Sequence, residues 1–149
     1  MSVPADQKML SGKTVVVTGA GRGIGRAIAL AAARAGATVV LASRTQEQLD
    51  AVVREVASLG GGALAVTADV RSRADVERLV SRAVEETGRI DAVVNNAGVF
   101  IWKPLEKLSE EEWDRVLETN LKATYLLVHA ALPELKKNRG RILNVSSVH

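Results

Sequence analysis

The amino-acid sequence predicts an α/β fold in which a doubly wound parallel sheet is covered by helices on both faces. Short apolar runs alternate with amphipathic stretches along the 149 residues, which is typical of right-handed strand–helix–strand crossovers. Glycines or helix-capping residues stand at most boundaries between them. The apolar residues are mainly Val, Leu, Ile and Ala, since aromatic residues make up only 3% of the chain, and this composition suits buried parallel strands.

Five strands and four long helices are expected from this alternation. Strands are predicted at 13–18, 37–42, 63–67, 91–95 and 141–146, and helices at 23–35, 45–59, 72–88 and 109–137. Three of the helices are preceded by residue pairs with the spacing of an N-terminal cap: Thr45 with Gln48, Ser72 with Asp75, and Ser109 with Glu112. No long linker or internal repeat interrupts the pattern, so residues 1–149 are predicted to form a single domain.

The composition excludes several classes of function. The chain has no cysteine, which rules out disulfides and thiolate chemistry, and His129 and His149 lie far apart in the sequence, so no metal site is expected. The net charge is only +3, and the basic residues are scattered among acidic ones, so no nucleic-acid partner is expected. Residues 1–10 lack the apolar core of a signal peptide, and no apolar run is long enough to span a membrane. A cytoplasmic protein without a membrane partner is therefore expected.

A glycine-rich turn at residues 18–25 (TGAGRGIG) joins the first strand to the first helix. Glycines allow the backbone to approach a pyrophosphate closely, and the free amides at the start of the helix favour negative charge. A turn of this composition can also serve packing alone, but the strand before it and the helix after it favour nucleotide binding. The expected contacts come from Thr18, Gly19, Gly21, Arg22, Gly23, Ile24 and Gly25.

The choice of dinucleotide is predicted from the end of the second strand. Sites for NAD usually place an acidic side chain there, to accept a hydrogen bond from the ribose 2′-hydroxyl. Here the positions are Ser43 and Arg44, and Arg22 lies within the glycine turn. A guanidinium pairs well with phosphate oxygens, so the 2′-phosphate of NADP(H) is the expected ligand. The alternative is that both arginines are solvated surface residues.

The glycine turn fits the pattern TGxxxGxG through Thr18, Gly19, Gly23 and Gly25, and Asn95-Asn96-Ala97-Gly98 follows the fourth strand. With these two motifs the chain resembles the short-chain dehydrogenase/reductase family, classical type, from about residue 10 to residue 149, and generally its bacterial 3-oxoacyl-carrier-protein reductase-like members. The resemblance implies a Rossmann-type sheet with five of the family's seven strands, in the order 3-2-1-4-5. It also implies hydride transfer between a nicotinamide cofactor and a small carbonyl or alcohol substrate.

The resemblance assigns roles to further residues. Asp69, followed by Val70, corresponds to the aspartate that contacts the adenine ring, whereas a lone aspartate in such a loop is otherwise an ordinary helix cap. Asn96, Ala97 and Gly98 are expected to stabilise the central strand and to contact the nucleotide.

Catalysis is expected to involve Asn120 and Ser147. Asn120 matches the family asparagine at a helix irregularity, where it holds a water of the proton relay, and Ser147 (less favourably Ser146) matches the serine that binds the substrate oxygen. The Tyr and Lys of the YxxxK motif are expected beyond residue 149. The tyrosine within the chain, Tyr125, is followed four positions later by His129 and is expected to serve helix packing.

Two other functions remain open besides a reductase that continues past residue 149. One is a non-catalytic NADP(H)-binding module that acts through a partner at the open edge of its fifth strand. The other is a methyltransferase, disfavoured because its cofactor also requires an acid near Arg44. A homodimer or homotetramer is expected through the long helix at 109–137, and an intact mass well above 15.8 kDa would indicate the longer reductase. The family's substrate-selective residues follow the catalytic lysine, so the substrate itself is not predicted.

Overall fold

Strands and helices alternate as expected in a computed structural model, which describes residues 8–147; His149 and residues 1–7 of the polar leading segment lie outside the described residues. The elements are β1 (Thr14–Thr18), α1 (Gly23–Arg34), β2 (Thr38–Ser43), α2 (Gln46–Ser58), β3 (Ala63–Thr67), α3 (Arg73–Thr87), β4 (Ala92–Asn95), α4 (Glu110–Leu117), α5 (Ala123–Lys137) and β5 (Arg141–Asn144). A 3₁₀ turn (Leu105–Lys107) precedes α4, and a π-helical segment (Glu118–Lys122) lies between α4 and α5.

The five strands form one parallel sheet in the order β3-β2-β1-β4-β5, which confirms the predicted order. Alternate residues of the central strand face opposite layers, so Val15 and Val17 pack with α1 and α2, whereas Val16 packs with α3 and α5. The side chains of all five β1 residues are buried. The apolar runs at β1, β2 and β4 are therefore strands that are covered on both faces.

The predicted helix caps are confirmed at two positions and wrong at a third. Ser109 and Glu112 form a reciprocal capping box, and the Ser72 hydroxyl accepts a hydrogen bond from the backbone N–H of Asp75. The Thr45 side chain makes no cap hydrogen bond to the part of the chain that the structure describes. Its predicted partner, Gln48, instead packs against the backbone of Gly21, where its Oε1 would lie 2.8 Å from an added Cβ.

The long helix predicted at 109–137 is interrupted at the π-helical segment, which contains Asn120. The helix irregularity that the family resemblance implies at this residue is therefore present. β5 is shorter than the predicted strand at 141–146 and forms an exposed edge, with Ile142 46% and Leu143 50% accessible.

A carboxylate is buried at the end of the sheet where β4 begins. Asp91 Oδ2 accepts hydrogen bonds from the Thr14 backbone N–H (2.9 Å) and from Arg89 Nε (2.7 Å), while Lys13 Nζ lies 3.3 Å from Oδ1. Burial raises the pKa of the Asp91 carboxyl, but the hydrogen bonds from Arg89, Thr14 and Lys13 outweigh it and bring that pKa below its usual value. Asp91 thus connects β1 and β4 through an ionised group.

Replacing Asp91 with asparagine is expected to lower the free energy of unfolding by about 1–3 kcal/mol at pH 7, because a charge-assisted acceptor is lost. The pKa of this group is lower in the folded than in the unfolded chain. Its stabilising effect is therefore complete above the unfolded pKa of about 4 and is lost as pH falls through the folded pKa. Urea unfolding of both proteins at pH 7 and pH 3 should show a difference that narrows in acid.

The matched control for this experiment is Glu86→Gln, which removes an exposed carboxylate paired with Arg82. This change should leave the urea midpoint nearly unchanged. Equal midpoints for Asp91→Asn and the wild-type protein at pH 7 would contradict a stabilising role for Asp91.

Candidate functional site

The carboxyl ends of β1 to β4 open onto one groove of about 500 Å³. This is the place where open parallel sheets bind ligands, and the volume falls within the range of small-molecule sites. The residues predicted to bind a nucleotide that line it are Gly19, Gly21, Arg22, Gly23, Ile24, Ser43, Arg44, Asp69, Val70, Asn96, Ala97 and Gly98. Sequence positions as far apart as 19 and 98 are thus brought into one site.

The glycine turn at residues 18–25 forms the floor of the groove. A Cβ added at Gly25 would lie 2.2 Å from the Gly19 carbonyl oxygen and 2.5 Å from Asn96 Nδ2, so α1 can approach β1 only with glycine there. Gly23 has a φ of +55°, and no described atom lies within 4 Å of a Cβ built on it. Arg22 occupies the N-cap position before α1, and its side chain makes no cap hydrogen bond within residues 8–147. The first amides of α1 are therefore available to an anion, and the turn fits a pyrophosphate.

Thr18 lies below the groove and is only 3% exposed. Its Oγ1 accepts hydrogen bonds from the backbone N–H groups of Asn96 and Ala97, both at 3.1 Å, and donates to the Val94 carbonyl. Asn96 Nδ2 in turn donates to the Thr18 carbonyl at 3.0 Å. Thr18 therefore positions the loop after β4, and its predicted contact with a nucleotide, like that of the buried Gly25, stays a prediction.

The rim of the groove near the end of β2 carries two exposed arginines, Arg22 and Arg44. Ser43 also lines the groove, and its Oγ accepts from the Thr45 backbone N–H at 3.3 Å. Positive charge at this rim fits an anionic group, which a neutral ribose hydroxyl is not.

Asp69 follows β3 and is held by Arg71. The Arg71 guanidinium donates through Nε to Asp69 Oδ1 (3.1 Å) and through its terminal nitrogen to Oδ2 (2.7 Å), and the Arg71 backbone N–H also donates to Oδ1 (3.0 Å). These hydrogen bonds bring the pKa of the Asp69 carboxyl below its usual value. Asp69 therefore presents an ionised acceptor to the groove.

Sequence reasoning missed several residues that line the same groove, including Gln48, Arg71, Arg115 and Thr119. Arg71 stands two positions after Asp69, so an aspartate followed by a basic residue in one loop was an available signal. Arg115 lies on α4, far from any of the motifs, and no local pattern marks it.

The amide of Asn120 is engaged with the backbone of Val99. Its Oδ1 accepts from the Val99 N–H at 2.8 Å, and its Nδ2 donates to the Val99 carbonyl at 2.8 Å. Asn120 therefore holds the segment that follows Asn95-Asn96-Ala97-Gly98. Ser146 and Ser147 follow β5 and are exposed. Asn120 and Ser147 are not among the described residues that line the groove.

A second cavity of about 830 Å³ lies beside β5. It is mainly apolar and is lined by residues of the helices from α4 to α5 and of β5, among them Leu117, Leu121, Tyr125, Val128 and Ile142. Tyr125 and His129 lie on one face of α5 as predicted, with ring centroids 5.5 Å apart.

Within residues 8–147, no three or more His, Asp or Glu side chains group closely enough to hold a metal ion. None of the helices in that range combines the length and apolar character needed to cross a membrane.

Comparison with known proteins gives a consistent result. A family model described as short chain dehydrogenase matches residues 13–149. The chain is 41% identical to a hydroxynaphthalene reductase-like protein of Metarhizium anisopliae, covering 95% of this chain and 53% of that protein. It is 44% identical to a 1,6-dihydroxycyclohexa-2,4-diene-1-carboxylate dehydrogenase of Acinetobacter baylyi, covering 91% and 52% respectively. The chain thus spans about half the length of the curated relatives it matches.

Two solved structures are closely similar. A metagenomic short-chain oxidoreductase in complex with NADP superposes with a TM-score of 0.89 at 42% identity, covering 94% of this chain and 64% of that one. An alcohol dehydrogenase from the archaeon Thermococcus sibiricus, complexed with 5-hydroxy-NADP, gives a TM-score of 0.88 at 38% identity, covering 91% and 58%.

Proposed function

This chain belongs to the short-chain dehydrogenase family, and on that premise we propose that its groove binds NADP(H) and that the whole protein transfers hydride between this cofactor and a carbonyl or alcohol substrate. The observation that carries the proposal is the strand–glycine turn–helix unit with Arg22 and Arg44 at its rim. The two similar structures that contain NADP or a derivative of it support the same choice.

Different residues of the groove are proposed to bind different parts of the cofactor. The amides at the start of α1 hold the pyrophosphate, Arg22 and Arg44 bind the 2′-phosphate, and the Asp69 carboxylate accepts from the adenine amino group. The bound nicotinamide supplies or accepts the hydride. Asn96, held by Thr18, keeps the loop after β4 in register with the glycine turn.

Asn120 is proposed to take part in proton transfer, and Ser147 is proposed to bind the substrate. The Asn120 side-chain amide bonds to the Val99 backbone through both its oxygen and its nitrogen, and the water of the predicted proton relay is proposed to be held at this residue. The π-helical segment, in which the Ala123 N–H reaches the Glu118 carbonyl, is the kind of insertion often found at functional sites. Ser147 would donate to the substrate oxygen, and the tyrosine that donates the proton would lie beyond residue 149 together with its lysine.

A second candidate, a non-catalytic NADP(H)-binding module, is favoured by one observation. The exposed side chains of Ile142 and Leu143 at the edge of β5 lie beside an apolar cavity, and a partner chain could cover both. The same surface, with Tyr125, is where we propose a homodimer or homotetramer contact. NADPH oxidation by the full-length protein that depends on a carbonyl substrate would favour the reductase, and the absence of any such turnover would favour the module.

The cofactor proposal is tested by fluorescence titration of the purified protein with NADPH and NADH. NADPH should bind more tightly, and Arg44→Asp should weaken NADPH binding by about tenfold or more, because a charge-assisted phosphate contact is replaced by repulsion. The same change should strengthen NADH binding, since the new carboxylate can accept from the ribose hydroxyl.

Arg54→Asp is the matched control, because Arg54 is an exposed α2 residue outside the groove lining. It should leave the NADPH-to-NADH ratio of affinities unchanged. Equal wild-type affinities for the two cofactors would overturn the assignment of Arg22 and Arg44.

A further inference from the structure

The Asp69–Arg71 ion pair lies in the groove itself, and the proposed function gives only Asp69 a role. Its two side chains are 29% and 35% accessible, and both residues line the cavity. The pair is bidentate, with three hydrogen bonds from the Arg71 guanidinium and one from its backbone N–H to the Asp69 carboxylate. Such fork-like pairing fixes orientation as well as charge.

The loop that carries the pair is held in place independently. The backbone N–H of Asp69 donates to Asp75 Oδ2 at 2.8 Å, and the N–H of Ser72 donates to the Asp69 carbonyl at 2.9 Å. The hydrogen bonds and negative charge of Asp69, and to a smaller extent the charge of Glu118, raise the pKa of the Arg71 guanidinium above its ordinary value. Arg71 is therefore positioned by its surroundings before any ligand binds.

The negative charge of Asp69 opposes the binding of an anionic ligand in this groove. Asp69 is the one carboxylate among the described residues that line the groove, and four arginines line it too: Arg22, Arg44, Arg71 and Arg115. Arg44 is close enough to attract the carboxylate and to contribute, after Arg71, to the lowered pKa of Asp69. A negative charge there would repel a phosphate that Arg44 holds.

We propose that Arg71 is a specificity-determining residue that screens the Asp69 carboxylate, so that the groove can use Asp69 for the base and still accept a 2′-phosphate beside Arg44. This inference rests on the proposed NADP(H) site and goes beyond it, because it makes cofactor preference depend on a residue that need not contact the phosphate. Without Arg71, the negative charge would favour a ribose that carries hydroxyls alone.

The test uses two small probes, adenosine 2′,5′-bisphosphate and adenosine 5′-monophosphate, with calorimetric titration of the purified protein. Both contain the base and the 5′-phosphate, so the ratio of their affinities reports the 2′-phosphate alone. In Arg71→Gln the preference for the bisphosphate should fall about three- to fivefold, the upper range for a partly exposed charge. Arg71→Lys, which keeps the charge, should retain most of the preference.

The double variant Asp69→Asn/Arg71→Gln distinguishes screening from direct contact. If Arg71 acts by screening, removing both charges should restore the ratio to within about twofold of the wild-type value. A double variant as poor as Arg71→Gln would overturn the inference, because it would mean that Arg71 binds the phosphate itself. Arg73→Gln is the matched control, since Arg73 is exposed, pairs with Glu77 and lies outside the groove lining.

The wild-type ratio separates failure of this inference from failure of the proposed function. A ratio near one would overturn the NADP(H) preference, and the role of Arg71 with it. A clear wild-type preference that Arg71→Gln leaves unchanged would overturn only the role of Arg71. Retained binding of adenosine 5′-monophosphate shows that each variant is folded.

Discussion

Replacing Gly25 with alanine is expected to abolish measurable NADPH binding and to destabilise the fold by about 3 kcal/mol or more. The added methyl group would lie 2.2 Å from the Gly19 carbonyl oxygen. The backbone fixes the positions of both the methyl group and this oxygen, so no side-chain rotation can relieve the contact. α1 would have to move away from β1, and with it the amides proposed to hold the pyrophosphate. Fluorescence titration with NADPH and urea unfolding measure the two effects.

Gly60→Ala is the control for this experiment. Unlike Gly25, Gly60 has a positive φ, +73°, and no described atom lies within 4 Å of a Cβ built there. The change should cost about 1–2 kcal/mol of backbone strain and leave the NADPH dissociation constant unaltered. If Gly25→Ala bound NADPH within twofold of the wild-type protein, the close approach at Gly25 would not matter for the site.

Replacing Thr18 with valine is expected to lower the free energy of unfolding by about 3 kcal/mol, although the two side chains have nearly the same shape. The hydroxyl accepts from two backbone N–H groups, those of Asn96 and Ala97, and valine would leave both without that acceptor in a mostly buried place. Chemical denaturation of the purified protein measures the loss.

Thr18→Ser keeps the hydroxyl and removes one buried methyl group, so its cost should stay near about 1 kcal/mol. The comparison isolates the hydrogen bonds from packing. Equal unfolding free energies for the valine and serine variants would show that the loop after β4 does not depend on Thr18.

The fold could be predicted from the sequence because its signals are local. Each strand is a short, mainly apolar run and most turns carry a glycine or a capping residue, so the alternation of elements follows from the residues themselves. The strand order came with the family resemblance, since apolar runs alone do not specify neighbours. The capping box predicted at Thr45 was wrong because the Gln48 side chain packs against Gly21 instead. Gly21 comes close to Gln48 only once β1 and β2 are paired.

The site could be predicted in part for the same reason. The glycine turn and Asn96 are marked by spacing, whereas the partner of Asn120 is Val99, which lies 21 positions earlier, before α4. No pattern in the sequence indicates that this amide would be engaged by backbone. Arg115 reaches the groove only through the path of α4, which is a property of the assembled fold, whereas Arg71 lies two positions after Asp69 in the same loop.

The two ends of β4 lie beside different features, the groove at one end and the Asp91 carboxylate at the other. Asn96 and the three residues after it border the groove, while Asp91 precedes the strand at the opposite end of the sheet. Four residues of extended chain span about 13 Å, which exceeds the separation at which mutational effects usually become additive. Stability can therefore be changed through Asp91 at one end of β4 without altering the groove at the other end.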